Sequence, residues 1–299
     1  MILNLTDEIL DYDESDDLNL VMALLTAAKR GHFIKATTPK TRDWVNGVIS
    51  EEKGFLPQKS SGIIKKAMTR ILGGELSKNL DYINIGKDCN PDMVDRILSL
   101  PSHIFVENAH FDWLAIKRWM KLYSKGKELS DVASEISKAM TDLRIIPGNG
   151  GGASNIPHAI YPIKEALDGI HHIKITAIFD SDKRSKDDPG HNAALKNKLD
   201  EEGIAYHELH KREIENYFHP DTFEKLGYVK EGFNLHDYSA IELDFLDLSD
   251  TSEVVTLKKE NVEDLAKAET LGGLKARAAS PVNGADEILT IIRHLAKYV

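Results

Sequence analysis

The pattern of apolar and polar positions is clearest between residues 101 and 210, where short apolar runs alternate with helical repeats. The apolar runs predict four strands, at 103–106, 143–146, 173–179 and 204–209. Apolar residues at helical spacing predict helices over 113–123, 129–140, 156–167 and 191–202. Strands that alternate with helices need crossover connections, so we expect an α/β fold with a mostly parallel sheet.

The flanking regions carry weaker patterns. The first hundred residues predict helices and strands at 18–30, 32–37, 41–48, 61–71 and 82–85. After residue 230 we expect a strand at 253–257 and a helix from about Asp286. The chain therefore divides into an N-terminal α/β region of unknown role (1–100), a central domain (101–230) and a C-terminal α/β extension (231–299).

Composition narrows the classes of function. The 299 residues include 48 acids against 38 lysines and arginines, a net charge of −10, which argues against coating nucleic acid with the whole surface. The single cysteine, Cys89, excludes an internal disulfide and a cysteine-based zinc site, and it fits a reducing, cytoplasmic location. We expect no membrane span, no signal peptide and, without a GxxxxGK[ST] motif, no P-loop ATPase.

Candidate chemistry follows three consecutive predicted strands. Glu107 ends the first, a glycine run with Gly150 and Gly151 follows the second, and Asp180 and Asp182 follow the third. Because ligands bind beyond the carboxyl ends of parallel strands, we expect these features to converge. Taken singly, each has an ordinary alternative: a solvated glutamate, a flexible crossover and a polar turn.

Clustered carboxylates predict a hard divalent cation. Oxygen ligands favour Mg²⁺ or Mn²⁺, and carboxylates held together repel unless a cation neutralises them. One or two such ions activate a water and stabilise a leaving oxygen in phosphodiester cleavage. The twelve histidines show no HExxH-type spacing, so we expect structural or surface roles, with His110 as the exception nearest Glu107.

Two further groups of charged residues complete the candidate site. After the fourth strand, Lys211 and Arg212 are candidate phosphate contacts, and Glu213 and Glu215 are candidate metal ligands; the alternative is a charged helix start. A basic run without acids from Trp113 to Lys127 supplies a candidate nucleic-acid path, with Trp113, Trp119 and Tyr123 interleaved in it. Its cations are Lys117, Arg118, Lys121, Lys125 and Lys127. The alternative is a solvated helix face with core aromatics. Lys183, Arg184 and Lys186 form a second basic cluster.

These motifs resemble a toprim domain over residues 101–225. The segment Arg-Glu213-Ile-Glu215-Asn-Tyr-Phe resembles the nucleases of the OLD (overcoming lysogenisation defect) type more than topoisomerases or primases. The resemblance implies a Rossmann-like toprim fold, Glu107 as metal ligand or base, and Asp180 and Asp182 as metal ligands. It also implies that Lys183 stabilises charge on the phosphate and that Glu213 or Glu215 is an additional acid.

The sequence departs from that family at two places. Asn108 stands where a glycine usually follows the glutamate, and the nearest acid, Asp112, lies one position later than the family pattern has it. OLD nucleases carry an ATPase domain ahead of the toprim domain, and this chain does not.

The likeness implies a stand-alone effector that cuts DNA or RNA such as tRNA, controlled by a separately encoded ATPase, as in anti-phage systems of the PARIS kind. The likeness does not decide whether the chain forms a homo-oligomer. Two alternatives remain: a phosphohydrolase or glycosyltransferase of the Asp-x-Asp type, and a non-enzymatic regulatory subunit.

Overall fold

The structure is a computed structural model. It describes residues 2–30, 32–48, 50, 57–69, 82–87, 89–167, 169–248, 252–258 and 261–299. The predicted glycine break at 73–74 and the end of the helix predicted over 61–71 lie outside these residues. The chain forms two compact units, Met1–Pro101 with Ala296–Val299, and Ser102–Leu295.

The first unit is built on a parallel sheet of three strands in the order β2-β1-β3. The strands are β1 (Ile2–Leu5), β2 (Phe33–Ala36) and β3 (Tyr82–Ile85). The helices are α1 (Glu14–Lys29), α2 (Pro39–Val48), α3 (Gln58–Thr69) and α4 (Pro91–Ser99). Strand β1 was not predicted, because its apolar run is short and leads into the acidic stretch that begins at Asp7.

The second unit contains a parallel sheet of four strands in the order β5-β4-β6-β7. They are β4 (Ser102–Val106), β5 (Ile145–Asn149), β6 (Ile175–Phe179) and β7 (Ala205–Glu208). All five residues of β6 are buried, as a continuous apolar run predicts for an internal parallel strand. The predicted α/β class with mostly parallel sheets is confirmed.

Helices follow the strands of the second unit as the crossover argument predicts. Those between strands are α5 (Phe111–Tyr123), α6 (Ser130–Thr141), α7 (Ile156–Ala166) and α8 (Ala193–Glu201). Those after β7 are α9 (Pro220–Lys225), α10 (Ala240–Phe245), α11 (Val262–Ala268), α12 (Leu271–Arg277) and α13 (Glu287–Ala296). The charged helix start expected near Glu213 is a short 3-10 helix, Ile214–Tyr217.

Residues after 230 are largely part of this second unit. The strand expected at 253–257 is wrong: Val255 forms only an isolated antiparallel bridge with Val229. Buried Asp244 pairs with both Lys211 and Arg277, so the C-terminal segment packs against the end of β7. Among the described residues, no helix combines the length and apolar character needed to cross a bilayer.

Candidate functional site

Glu107 is the point where three strand ends meet. Its Oε1 accepts a hydrogen bond from the Asp180 amide (3.1 Å), and its Oε2 accepts one from the Ala153 amide (3.2 Å). Its carbonyl accepts from the amides of Gly151 (2.9 Å) and Gly152 (3.2 Å). The ends of β4, β5 and β6 are therefore joined through one glutamate, as the parallel topology predicts.

The glycine run positions Glu107. A Cβ atom on Gly150 would lie 2.5 Å from Ile156 Cγ1 and 2.9 Å from the Val106 carbonyl oxygen. Gly151 has a φ of +66°, in the left-handed region that glycine adopts without strain. The Gly150 amide donates to the Val106 carbonyl and the Gly151 amide to the Glu107 carbonyl, so the two amides predicted to bind a phosphate are already bonded to the end of β4.

Hydrogen bonds to the segment after β7 hold the Asp180–Asp182 loop in place. The amides of Ser181 and Asp182 donate to the Arg212 carbonyl (3.1 and 3.0 Å), and the buried Ser181 hydroxyl donates to the Lys211 carbonyl (2.6 Å). Asp182 itself is exposed and has a φ of +54°, a conformation that aspartate tolerates better than most residues. The hydrogen bonds of the Ser181 and Asp182 amides thus hold the backbone at Asp182 in place.

The carboxylates at this sheet edge raise one another's pKa. Burial, followed by the charges of Asp182 and Asp112, raises the pKa of Glu107 to about 7. Burial, followed by the charge of Glu107, raises the pKa of Asp180 well above its usual value; the other acids contributing are Asp112, Glu215 and Glu213. We call this group of acids the carboxylate edge; its members are Glu107, Asp112, Asp180, Asp182, Glu213 and Glu215.

Glu213 belongs to the carboxylate edge, and only one of its two carboxylate oxygens accepts a hydrogen bond among the described residues. Its Oε1 accepts from Arg212 Nε (3.0 Å), while its Oε2 is buried and has no hydrogen-bond partner among the described residues. Burial raises the pKa of Glu213 to about 6, despite the neighbouring Arg212 charge. Glu215 lies close enough to Asp180 to raise the pKa of that residue.

The residues present fit a hard cation. All six side chains of the carboxylate edge offer oxygen ligands, and a buried Glu213 oxygen without a donor is what a bound cation would satisfy. Among the described residues, three-ligand groups with all ligand atoms within 4.8 Å occur elsewhere, at His207–His210–Glu287 and Asp221–Glu224–His236. Glu107, Asp180 and Asp182 do not form a group of this compactness.

A crevice of about 380 Å³ opens between the carboxylate edge and α8. Glu107 and Asp182 line it, together with three residues that the sequence analysis did not single out, Ser154, His191 and Lys198. Asn192 is a further omission: its amide donates to the Asp180 carbonyl (2.8 Å) and to Glu208 Oε1 (3.2 Å). For His191 and Asn192 the sequence offered one signal, their place just before α8, where a polar residue usually caps the helix.

Asp112 lies near the carboxylate edge although its spacing departs from the family pattern. It sits in the first turn of α5, its Oδ2 accepts from the Asn108 amide (2.8 Å), and its charge raises the pKa of both Glu107 and Asp180. Asn108 uses its own side chain to accept from the amides of His110 and Phe111 (3.0 and 3.1 Å). The turn after β4 is therefore closed by Asn108 and Asp112 together.

The basic residues predicted to contact phosphate divide into two groups. Lys211 is 1% exposed, lies 2.5 Å from Asp244, and has a pKa lowered to about 8 by burial, so it is a buried structural cation. Arg212 is held between Glu213 and Asp247 (3.0 Å each). Lys183, which is half-buried, and Arg184, which is exposed, directly follow Asp182 of the carboxylate edge.

The basic face of α5 is separate from its aromatic face. Trp113, Trp119 and Tyr123 are buried, so they are core residues and are not positioned to stack on bases. The cations line a second cavity of about 330 Å³ between α5, α6 and α11; they are Lys117, Arg118, Lys121 and Lys267. Arg118 also donates to the carbonyls of Lys267 (3.2 Å) and Glu269 (2.5 Å), which close the end of α11.

Comparisons of this chain with protein-family models, with curated proteins and with solved structures found no match.

Proposed function

We propose that this protein is a metal-dependent endonuclease of the toprim type that hydrolyses phosphodiester bonds in DNA or RNA. One observation carries the proposal: Glu107 and Asp180 end adjacent parallel strands, are joined by a hydrogen bond, and share a pocket of acids that raise the pKa of both. Carboxylates held this close repel one another, so the arrangement favours one or two Mg²⁺ or Mn²⁺ ions.

Each side chain has a separate task in this proposal. Glu107, Asp180 and Asp182 would hold the cation, with Glu213, Glu215 and Asp112 as the neighbouring acids. The bound cation would supply an activated water and charge stabilisation at the leaving oxygen. Without a cation, burial and the neighbouring acids raise the pKa of Glu107 to about 7, and a bound cation would favour its ionised form. Lys183, at the end of the same loop, would face the negative charge that develops on the phosphate.

The substrate path and the partner remain proposals of the same kind. Lys117 and Lys121 are exposed along α5, the helix that starts at the carboxylate edge, and they suit contact with a phosphate backbone. The toprim resemblance adds a separately encoded ATPase as controller and anti-phage defence as the setting. The site acts on the phosphodiester and not on a base, so both DNA and RNA, tRNA included, are candidate substrates.

The test is a cleavage assay on the purified chain. Supercoiled plasmid and total tRNA would be incubated in parallel with Mg²⁺, Mn²⁺ or EDTA. We expect metal-dependent cutting of one substrate, and Asp180→Asn should lower it by about 10³-fold or more, since it removes a ligand used in the chemical step. The matched control is Asp187→Asn, which changes an exposed aspartate of the same loop and should leave cutting unchanged.

Three outcomes would overturn this proposal. Cutting that survives in Asp180→Asn would place the activity elsewhere, and turnover of p-nitrophenyl phosphate or a sugar nucleotide without nucleic-acid cleavage would indicate the alternative Asp-x-Asp enzymes. A chain that stays inactive even after co-expression with any ATPase found encoded beside it, yet binds that ATPase tightly, would be a regulatory subunit.

A further inference from the structure

A second cluster of metal-ligating side chains lies after β7, outside the carboxylate edge. We call it the histidine cluster; it consists of His207, His210 and Glu287. One ligand atom from each of the three lies within 4.8 Å of the others. His207 and His210 come from the end of β7, and Glu287 is the first residue of α13, so the cluster joins two elements far apart in sequence.

The distances are close to those of a tetrahedral metal site. His207 Nε2 lies 2.9 Å from Glu287 Oε1, and His210 Nδ1 lies 3.6 Å from Glu287 Oε2. Ligand bonds of about 2.0–2.1 Å place tetrahedral ligands roughly 3.4 Å apart. A metal ion would therefore replace the proton between His207 Nε2 and Glu287, with the side chains of the cluster adjusting around it.

The surroundings supply the second layer of contacts that metal sites use. The Tyr217 hydroxyl donates to Glu287 Oε2 (2.5 Å), and the His210 amide donates to Glu287 Oε1 (2.7 Å), which fixes the carboxylate. Ser280 Oγ lies 2.6 Å from His210 Nδ1, next to the nitrogen that would face the metal, and metal binding would replace this hydrogen bond. Glu287 is fully buried, whereas the His210 side chain is 30% exposed, which leaves an entry path from solvent.

Charge also favours a cation here. Glu287 is a buried carboxylate, and among the described residues its ion-pair partners are the two imidazoles and no lysine or arginine. Imidazole nitrogens offer lone pairs to a metal, and Glu287 adds a carboxylate. A divalent ion that replaced the proton between His207 and Glu287 would bind these donors together.

We propose that His207, His210 and Glu287 bind one Zn²⁺ ion, with water or Ser280 in the fourth position. Two imidazoles and one carboxylate form a donor set that suits zinc, whereas Mg²⁺ and Mn²⁺ prefer oxygen. The site is distinct from the carboxylate edge in both ligand type and position. The chain would thus bind two kinds of metal ion, each selected by its own donor set.

The zinc would act on the stability of the Asp180–Asp182 loop. His210 directly precedes Lys211 and Arg212, whose carbonyls accept the hydrogen bonds from Ser181 and Asp182. A metal that anchors His210 to Glu287 therefore fixes the segment on which that loop rests. This consequence concerns folding and does not depend on the nuclease proposal.

The test measures metal content and not cleavage. The full chain, with any histidine tag removed, would be loaded with Zn²⁺, passed over a chelating resin and analysed by mass spectrometry of the metal. We expect about one zinc per chain in the wild type. The double variant His207→Asn, His210→Asn should lose it, and His236→Asn, a histidine of the exposed Asp221–Glu224–His236 group, should keep it.

Co²⁺ substitution gives a readout that does not depend on the variants folding. In the wild type, Co²⁺ should give intense absorption between about 500 and 650 nm, the signature of tetrahedral nitrogen and oxygen ligation. Zinc should raise the melting temperature of the wild type and of His236→Asn but not of the double variant. A zinc-free wild type, a weak octahedral Co²⁺ spectrum, or zinc lost through His236→Asn would each overturn the proposal.

Discussion

The carboxylate edge and the histidine cluster lie at the ends of strands in the same sheet. The ionised carboxylate is stabilised by its neighbours in the histidine cluster and destabilised by them in the carboxylate edge. In the histidine cluster, buried Glu287 accepts hydrogen bonds from His210 and Tyr217 and faces His207 at 2.9 Å. Although burial alone would raise it, these partners hold the pKa of Glu287 below its usual value. In the carboxylate edge, the neighbours of Asp180 include four other acids, and its pKa rises.

This difference separates a carboxylate that stabilises the fold from one whose charge the protein leaves unmatched. The ionised form of Glu287 is favoured by its donors, so the folded chain gains from the charge. The ionised forms of Glu107 and Asp180 are disfavoured, so ionising these two carboxylates lowers the stability of the folded chain. Active sites commonly keep such unmatched charge, because a cation or substrate supplies the balance on binding. Replacing a carboxylate by its amide should therefore have opposite effects at the two sites.

The largest expected effect is the destabilisation of the histidine cluster by Glu287→Gln. The amide keeps the shape, but it removes the buried charge and points an N–H group toward other donors. In EDTA, the free energy of unfolding should fall by about 3 kcal/mol, as for the loss of one member of a buried, hydrogen-bonded network. Urea titration would measure it, with exposed Glu253→Gln as the control. A loss equal to that of the control would show that the network contributes nothing to stability.

Gly150→Ala tests whether the carboxylate edge depends on the close approach of the β5 loop to β4. The added Cβ would lie 2.5 Å from Ile156 Cγ1 and 2.9 Å from a backbone oxygen that cannot move without shifting β4. We expect a loss of about 2 kcal/mol, typical of overpacking. Gly62→Ala is the matched control, since nothing lies within 4 Å of its added Cβ in α3 and alanine favours helices. If both variants were equally stable, the loop would not be packed this tightly.

Glu107→Gln tests the sign of the electrostatic contribution at the carboxylate edge. The pKa of Glu107 rises from 4.5 to about 7 in the folded chain, so the folded state binds more protons between these pH values. Its contribution to stability is therefore lost as the pH rises from 4.5 through 7. Between pH 4.5 and 8, metal-free Glu107→Gln should gain about 1–2 kcal/mol relative to the wild type, since protonation of Asp180 relieves the rest of the repulsion.

Thermal unfolding in EDTA across that pH range would measure this difference. Added Mg²⁺ or Mn²⁺ should stabilise the wild type at pH 8 more than the variant, because the cation balances the charge that the amide lacks. A variant whose stability stays parallel to that of the wild type at every pH would contradict the raised pKa. It would also remove the contrast with Glu287.

The meeting of Glu107 and Asp180 at the carboxylate edge could be predicted because local sequence patterns indicate a parallel sheet. Apolar runs identify β4 and β6, and the residue after each strand must lie at one edge, so Glu107 and Asp180 meet wherever the helices pack. Asp112 became clear only in the structure, since its place depends on how Asn108 closes the turn. Likewise, nothing local indicates that the glycine amides bond the strand beside them.

The histidine cluster could not be predicted for the opposite reason. Glu287 lies 80 residues from His207, and no periodic pattern connects two such positions. Lys211 was misread in the same way: its charge suggests exposure, but its partners Asp244 and Arg277 are supplied by the C-terminal segment. Sequence patterns fix what a strand or helix presents, whereas pairing between distant elements depends on tertiary packing.

The smallest expected effect concerns the basic face of α5. It tests whether nucleic acid bound at the carboxylate edge also contacts this helix. Lys117 and Lys121 line the cavity beside α11, whereas Lys125, just after the same helix, does not. In an Asp180→Asn background that cannot cleave, Lys117→Ala and Lys121→Ala should each weaken binding of the cleaved substrate a few-fold. Each should also reduce the slope of log K against log salt by about 1, the value for one lost phosphate contact.

Lys125→Ala removes the same charge from a position outside the cavity and is the matched control. If the backbone of the substrate follows the cavity, this control should leave the salt slope unchanged, and fluorescence anisotropy at several salt concentrations would measure all three variants. An equal effect in all three would mean that only the overall charge matters. The phosphate path to the carboxylate edge would then run past Lys183 and Arg184 alone, and changes at those two residues would be the ones that lower the slope.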